Sequence, residues 1–303
     1  MQLIDDPRNI PPSLRGAALS FGFFDGVHRG HRAIIERTRR VAGELGVPSM
    51  VLIGDRRPAS SAPAETAPRL LTDPSQKLAL LEAAGIDVTC VAPTGGRPPH
   101  PVDHLVRDVA ISKLRAHVLV AGRHHRDAPS LLELGDQHGL RVELVEPVDA
   151  PGVGVISGAA IRDRLRGGDV TTAAALLGRP YEIHGVVERG DGRGRAIGVP
   201  TANVAVSAEM QLPADGVYAG RYRRADGERH PAAISIGRRP TFHAENALLL
   251  VEAHLLDFNG DLYGEHAWVE VDAWLREQVR FDRVDALVAQ MQLDVAQTRS
   301  MIP

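Results

Sequence analysis

The chain has 303 residues, of which 44% are hydrophobic and 24% charged, so it can bury a large core and is long enough for two domains. Its net charge of -3 and isoelectric point near 6.5 give no indication of a surface that binds nucleic acid or membrane. There is neither a basic leader nor an apolar run of membrane-spanning length, so we expect a cytoplasmic protein whose partners are small molecules.

The first half of the chain alternates apolar extended runs with helical segments. Strands are predicted at 17–24, 49–53, 86–92, 118–121 and 141–145, and helices at 29–45, 74–84, 102–114, 130–138, 157–166 and 169–177. The single cysteine, Cys90, lies in one of these apolar runs and is expected to pack in the core. This alternation predicts an α/β, Rossmann-like domain with a mostly parallel sheet, and ligands of such sheets bind at the carboxyl ends of the strands.

The first strand-to-helix turn contains two histidines in the run F-G-F-F-D-G-V-H-R-G-H. His28 and His31 fall at the start of a helix, where the helix dipole and the unpaired N–H groups favour an anion. Imidazoles at this spacing could donate hydrogen bonds to a phosphate. The alternative is a pair of surface histidines that only cap the helix.

From residue 181 onward the pattern changes to alternating strands. Strands are predicted at 181–188, 216–223, 232–236, 248–256 and 266–273, followed by an amphipathic helix over 282–299. We predict a small closed β-barrel with a helix packed across it.

Between the first two of these strands lies the segment R-G-R-A-I-G-V-P-T-A-N (193–203). Its glycines let the backbone approach an anion closely, its arginines can attract a phosphate, and its threonine and asparagine supply oxygen atoms. The candidate nucleotide-binding residues are Gly194, Arg195, Gly198, Thr201 and Asn203. The alternative is an ordinary loop with solvated arginines. Because the chain has only two lysines, phosphate charge must be met mostly by arginine, backbone N–H groups or a metal ion.

Glu252 is a carboxylate inside the apolar run L-L-L-V-E-A-H-L-L-D-F. A charge at such a position is costly unless it faces water, a cation or a hydrogen-bonding partner. Alternation along the strand places it on the face opposite Val251 and Ala253, so a simple solvent-facing glutamate is an equal alternative.

Five ordered blocks of the second half closely resemble the riboflavin kinase module of prokaryotic bifunctional riboflavin kinase/FAD synthetases. The blocks span 179–204, 212–220, 236–242, 251–264 and 275–282, and they include G-V-P-T-A-N, I-G-R-R-P-T-F and L-R-E-Q-V-R-F-D. The resemblance implies a kinase domain over 179–303, after a nucleotidyltransferase-like domain over 1–178. The implied fold of the kinase domain is a six-stranded barrel.

The implied reaction is transfer of the γ-phosphate of ATP to riboflavin, which gives FMN. On the matching positions, Thr201 and Asn203 would hold Mg²⁺ and the phosphates, and Glu252 would be the general base. Arg276 and Phe281 would lie near the flavin. Gln278 departs from the usual glutamate of the pattern, and we expect this change to adjust flavin contacts.

The first half resembles the module that adenylylates FMN to FAD, but less evenly. The motif G-x-F-D-G-V-H-x-G-H is intact, which implies catalytic roles for His28 and His31 and nucleotide-binding roles for Asp25 and Gly30. The segments 71–87 and 176–181 also match the module.

Three other blocks of the first half depart from the family pattern. The expected D-P-H-P is Asp55-Arg56-Arg57-Pro58, and the expected G-x-[DN]-F-x-F-G is replaced over 122–128. The expected S-S-T-R-I-R is S-G-A-A-I-R (157–162), so Ala159 and Ala160 supply neither hydrogen bonds nor positive charge to the phosphates.

These losses predict a working kinase joined to a weak or inactive adenylyltransferase. A full bifunctional enzyme remains an alternative if Arg123, Arg126 or Arg162 replaces the missing charge. A second alternative is a flavin- or nucleotide-sensing protein without turnover.

Overall fold

The computed structural model describes residues 1–54, 68–92, 106–125, 127–190, 194, 198–238 and 249–302. These residues form two compact units, and the first comprises Met1–Pro68 and Thr72–Gly158. The second comprises Arg69–Leu71 and Ala159–Pro303. The chain therefore passes from one unit to the other near residue 158, whereas the boundary of the catalytic domains at residue 178 stays a prediction.

A six-stranded sheet forms the centre of the first unit. Its strands are β1 (Gln2–Ile4), β2 (Ala18–Gly22), β3 (Ser49–Gly54), β4 (Val88–Ala92), β5 (Val118–Gly122) and β6 (Arg141–Val145). Their order is β1-β4-β3-β2-β5-β6, and every neighbouring pair is parallel. From β2 the chain proceeds through β3 to β4 and then crosses back to β5 on the other side of β2. Such a reversal opens a crevice at the carboxyl ends of β2 and β5.

Helices α1 (Arg29–Leu45), α2 (Pro74–Ala83) and α3 (Ala128–His138) connect these strands. The sequence fixes their ends. His28 caps the start of α1, and Gly46 ends that helix in the left-handed conformation. Asp73 and Gln76 form a capping box at the start of α2.

The second unit contains a closed antiparallel barrel of six strands. In chain order the strands are β9 (Tyr181–Glu188), β10 (Ala202–Ala205), β11 (Gly216–Arg223), β12 (Arg229–Arg238), β13 (Leu249–Leu255) and β14 (His266–Arg276). Alternate side chains fill the interior, and Ile183, Val204, Tyr218, Val251 and Val269 are each at most 1% exposed. Helices α4 (Gly158–Arg166) and α5 (Val170–Leu177) precede the barrel, and α6 (Val284–Met301) follows it and packs on β11 and β12.

The predicted fold class is confirmed, and the differences concern short elements. Strand β1, strand β10 and a hairpin of β7 (Asp149–Ala150) and β8 (Gly154–Val155) were not predicted, because two to four residues are too few to show a period. The helix predicted over 102–114 is a π-helix over Val106–Lys113, and residues 102–105 lie outside the described part.

Candidate active sites

Four polar residues occupy one row across four neighbouring strands of the barrel. Asn203 on β10 is paired with Glu188 on β9 and with Glu252 on β13, and Glu252 is in turn paired with Ser235 on β12. The residues that flank the row along the strands are buried: Val187, Ala202, Val204, Ile234, Ile236, Val251 and Ala253. Since side chains alternate along a strand, the row lies on the outer face of the barrel. We call these four residues the polar row.

The backbone before β10 packs tightly against the oxygen-bearing side chains. A Cβ atom added at Gly190 would lie 2.3 Å from Nδ2 of Asn203, and one at Gly194 would lie 3.4 Å from Oγ1 of Thr201. Gly198 has φ +81°, in the left-handed region that favours glycine. Glycines therefore let this segment approach Thr201 and Asn203. Arg193 and Arg195 lie outside the described residues.

In the first unit the two motif histidines lie together. Their rings stack at a centroid distance of 3.6 Å and an interplanar angle of 19°. His28 is 5% exposed, and its Nδ1 accepts a hydrogen bond from the backbone N–H of His31. Burial, followed by the charges of His28 and Lys77, lowers the pKa of His31 well below the ordinary value of 6.5. His31 is therefore neutral at physiological pH, and His28 is a buried cap rather than a surface one.

Gly30 and Asp25 hold the turn around this pair. A Cβ atom at Gly30 would lie 3.2 Å from the His28 ring and 3.3 Å from the carbonyl oxygen of Ile156. The Asp25 carboxylate accepts hydrogen bonds from the backbone N–H of Thr72 at 3.1 Å and from its hydroxyl at 3.3 Å. Both residues thus shape the turn, and a direct contact with a nucleotide stays a prediction for each.

A cavity of about 240 Å³ lies at the carboxyl ends of β2 and β5, where the chain reverses across the sheet. His28 and His31 line one part of the cavity, and Arg123, His124 and His125 line another. The cavity is concave and largely apolar with a few converging polar groups, as small-molecule sites are.

Comparisons with known proteins cover both halves of the chain. A riboflavin kinase family model matches residues 177–302, and an FAD synthetase model matches residues 10–159. A bifunctional riboflavin kinase/FMN adenylyltransferase of Pseudomonas fluorescens is 36% identical over 99% of this chain and 98% of its own length. Proteins of the same description from Haemophilus influenzae and Escherichia coli K12 are each 33% identical over 97% of this chain and cover 97% and 96% of their own lengths.

The chain belongs to the bifunctional riboflavin kinase/FMN adenylyltransferase family. A solved structure described as a macrolide-efflux protein from Streptococcus pneumoniae has a TM-score of 0.85, 26% sequence identity and 98% coverage of both chains. This likeness supports the fold described above. Among the described residues, every helix is too short or too polar to cross a membrane.

Mg²⁺ prefers oxygen ligands and is usually held by one or two protein groups together with substrate phosphates and water. The polar row and Thr201 offer hydroxyl, amide and carboxylate oxygens near one another, so these residues fit the ion. In the described part of this family member, three or more His, Cys, Asp or Glu residues nowhere cluster into a metal site. Ligation of the ion by Thr201 and Asn203 stays a prediction.

Arg276 is the last residue of β14, where it is paired with Val217 of β11, and Phe281 lies beyond the end of this strand. The Arg276 guanidinium forms a two-pronged ion pair with Asp294 of α6, at 2.8 and 2.6 Å, and Asp294 is 3% exposed. Phe281 is half-buried. Arg276 thus ties the end of β14 to α6, and contact of either residue with a flavin stays a prediction.

The described arginines that the sequence offers as replacements in the first half have partners in this structure. Arg123 forms an ion pair with Glu146, and Arg162 donates a hydrogen bond from Nε to the carbonyl oxygen of Arg69 at 2.6 Å. Arg126 and the segment 55–58 lie outside the described residues. Of the three candidate arginines, Arg123 and Arg162 are described and each has a partner.

Ser235 and Glu188 were not singled out from the sequence, although they share the polar row with Glu252 and Asn203. Strand alternation places Ser235 on the outer face of A-A-I-S-I-G, which is the only local signal. They lie near the catalytic candidates because strands that are distant in sequence pair with each other. The register of that pairing cannot be predicted from the sequence of a single strand.

Proposed function

We propose that this chain is a Mg²⁺-dependent riboflavin kinase that converts ATP and riboflavin to ADP and FMN, and that its adenylyltransferase half is weak or inactive. The observation that carries the proposal is the register that places Glu252 beside Asn203 on the outer face of the barrel. The carboxylate of Glu252 is thereby adjacent to the amide of Asn203. The proposed reaction requires this closeness, because Glu252 would accept the proton and Asn203 would position the phosphates.

In this mechanism Glu252 accepts a hydrogen bond from the terminal ribityl hydroxyl and takes its proton as the oxygen attacks the γ-phosphorus. Thr201 and Asn203 position the nucleotide so that the attack is in line with the departing ADP. Bound Mg²⁺ would neutralise charge on the phosphates. The glycines near Thr201 allow the backbone to approach the nucleotide without steric hindrance.

The remaining site roles belong to the same proposal. In the kinase domain, over 179–303, the further substrate-binding residues are Gly194, Arg195, Gly198, Arg276 and Phe281. In the nucleotidyltransferase-like domain, over 1–178, His28 and His31 act on the nucleotide phosphates, supported by Asp25 and Gly30. The stacked, neutral His31 retains a ring nitrogen that is buried and has no hydrogen-bond partner within the described part of the chain. That atom suits a ligand, so nucleotide binding can persist in this half.

Impairment of the adenylyltransferase follows from the charge balance of the first half. Ala159 and Ala160 stand where the family pattern has a threonine and an arginine, and Arg123 forms an exposed ion pair with Glu146. Each lost hydrogen bond or ion pair to a charged phosphate in a dry site costs about 2–3 kcal/mol. Two such losses, about 4–6 kcal/mol together, slow a reaction by roughly three to four orders of magnitude.

The test is a product assay with riboflavin, ATP and Mg²⁺, separated by chromatography. FMN should accumulate without FAD, and addition of a chelator should stop its formation. The Pseudomonas fluorescens relative, described as bifunctional, is the matched positive control for FAD. Substantial FAD would instead show a full bifunctional enzyme. Riboflavin binding without ATP consumption, unchanged by Glu252→Gln, would show a sensor.

A further inference from the structure

His254 makes a side-chain hydrogen bond to the segment that carries the candidate phosphate ligands. Its Nδ1 lies 2.7 Å from the carbonyl oxygen of Pro200. A carbonyl oxygen can only accept, so Nδ1 carries the proton and is the donor in this bond. His254 follows Glu252 by two residues on β13, and alternation along the strand therefore places it on the outer face of the barrel, beside the polar row.

The backbone pairing of β10 with β13 begins after Pro200. The first residue pair is Ala202 with Ala253, and the following pairs lie further along β10. Proline has no N–H to donate to a neighbouring strand, whereas its carbonyl oxygen can still accept. The side chain of His254 donates to that oxygen. The attachment of the chain to β13 therefore extends two residues beyond the backbone pairing, from Ala202 back to Pro200.

A second contact holds the same segment before Pro200. The N–H of Val199 donates to the carbonyl oxygen of Gly194 at 2.8 Å, and the Val199 side chain is buried. A Cβ atom at Gly194 would lie 2.5 Å from the Val199 carbonyl oxygen, so this close approach requires glycine. The chain thus enters Pro200 from a tightly closed turn.

The carbonyl group that His254 holds belongs to the peptide group that joins Pro200 to Thr201. A peptide group is planar, so fixing its oxygen also fixes the direction of the Thr201 N–H and Cα. On the other side of Thr201, Ala202 is held by its pairing with Ala253. Strand β13 therefore holds Thr201 from both sides, once through a side chain and once through the backbone.

We propose that His254 is a positioning residue for the nucleotide, which holds Thr201 in the orientation that binds the phosphates of ATP. This inference rests on the proposed kinase function. Without the bond from His254, the segment before β10 adopts other orientations, and ATP binds only the fraction of molecules in which Thr201 is in place. The apparent affinity for ATP falls in proportion to that fraction. The value of kcat is retained, because bound ATP restores the ordered segment.

The experiment measures KM for ATP and KM for riboflavin in FMN formation. His254→Ala should raise KM for ATP about 5-fold, the effect expected for loss of one neutral hydrogen bond, and should leave kcat and KM for riboflavin unchanged. In His254→Asn the amide nitrogen is bonded to Cγ, as Nδ1 is in histidine, so this variant should keep the KM for ATP of the unaltered chain. His266→Ala, at an exposed histidine of β14, is the matched control and should change neither KM.

The KM values separate this positioning role from simple loss of structure, because KM does not depend on how much of the enzyme is folded. An unchanged KM for ATP in His254→Ala, an equal rise in His254→Asn, or equal rises in KM for both substrates would overturn the inference. If the unaltered chain makes no FMN, the proposed function fails and this inference fails with it. FMN formation whose KM for ATP is indifferent to His254 rejects only the inference.

Discussion

The two halves of the molecule carry their candidate chemistry in different ways. In the barrel, Asn203 and Glu252 lie at paired positions of hydrogen-bonded strands, and their spacing is set by the sheet itself. In the first unit, His28 and His31 lie at a turn and a helix start, and the other cavity groups come from loops after β5 and β6. The barrel site is therefore fixed by register, whereas the sheet-edge site depends on several separately replaceable loops.

This difference explains why one half keeps its motif residues and the other departs from the family pattern. A substitution in the polar row would expose a charge or remove a neighbour of Glu252. The effects of substitutions at neighbouring positions of the row are therefore coupled. In the sequence of the first half, Ala159 and Ala160 stand where the family pattern has a threonine and an arginine, while the buried histidine pair is retained. The histidine motif is thus kept although the block over 157–162 has changed.

Glu252→Gln gives the largest expected effect and tests whether the two halves act separately. Removal of the base should lower FMN formation about 10³-fold, since general bases contribute on that order. Any FAD made from supplied FMN should be unchanged. Glu209→Gln, at an exposed turn, is the matched control. An equal loss of FMN formation and FAD formation would contradict the hypothesis that the two halves act separately.

Arg276→Gln tests whether Arg276 stabilises the fold of the barrel half or also binds the flavin. Removing the guanidinium leaves the nearly buried Asp294 carboxylate with the hydrogen bond from Gln290 but without a cation, so the free energy of unfolding of this half should fall by about 3 kcal/mol. Arg276→Gln with Asp294→Asn should regain most of that stability, measured by urea unfolding. If Arg276 also lies near the flavin, the double variant keeps a raised KM for riboflavin. An unchanged KM would show that Arg276 only stabilises the fold.

The sequence predicts much of this architecture because long strands and helices carry their own period. The bounds predicted for α1, β6, β9 and β11 are those of the structure. Strand β10 was not predicted, because its four residues follow a glycine-rich segment typical of a loop.

The candidate site is predictable only one residue at a time. Asn203 and Glu252 each attract attention through residue type and local context, but neither strand specifies that they are partners. Ser235 and Gln278 lie in unremarkable local sequence, and the hydrogen bond between them arises from tertiary packing and from the space left by Gly237. Long-range register and packing are tertiary properties, so sequence periodicity does not reveal them.

Ala159→Thr with Ala160→Arg restores to the first half two donors that the family pattern has at these positions. A threonine hydroxyl and a bidentate arginine should raise FAD formation from FMN and ATP at least about 10-fold, because charge-assisted bonds to phosphate are strong. FMN formation from riboflavin should not change. Ala160→Met adds comparable length without charge and is the control. Rapid FAD formation by the unaltered chain, or no gain in the double variant, would contradict the assignment of the loss to these positions.

The smallest expected effect is a pH dependence of stability that belongs to the first unit alone. Because the pKa of His31 is lowered in the folded state, the unfolded chain takes up a proton near pH 6.5 while folded His31 stays neutral. The free energy of unfolding should therefore fall as pH drops below about 6.5, by up to about 1.4 kcal/mol per pH unit, and His31→Gln should reduce that slope.

Hydrogen exchange of the β2 and α1 amides measures this slope in the first unit. Both tryptophans, Trp268 and Trp274, lie in β14, so fluorescence reports the barrel and is the internal control. Equal slopes for His31→Gln and the unaltered chain would show that His31 is not held neutral. A change in the barrel transition would instead show that the two halves unfold together, and a shared transition would remove the independence on which their contrast depends.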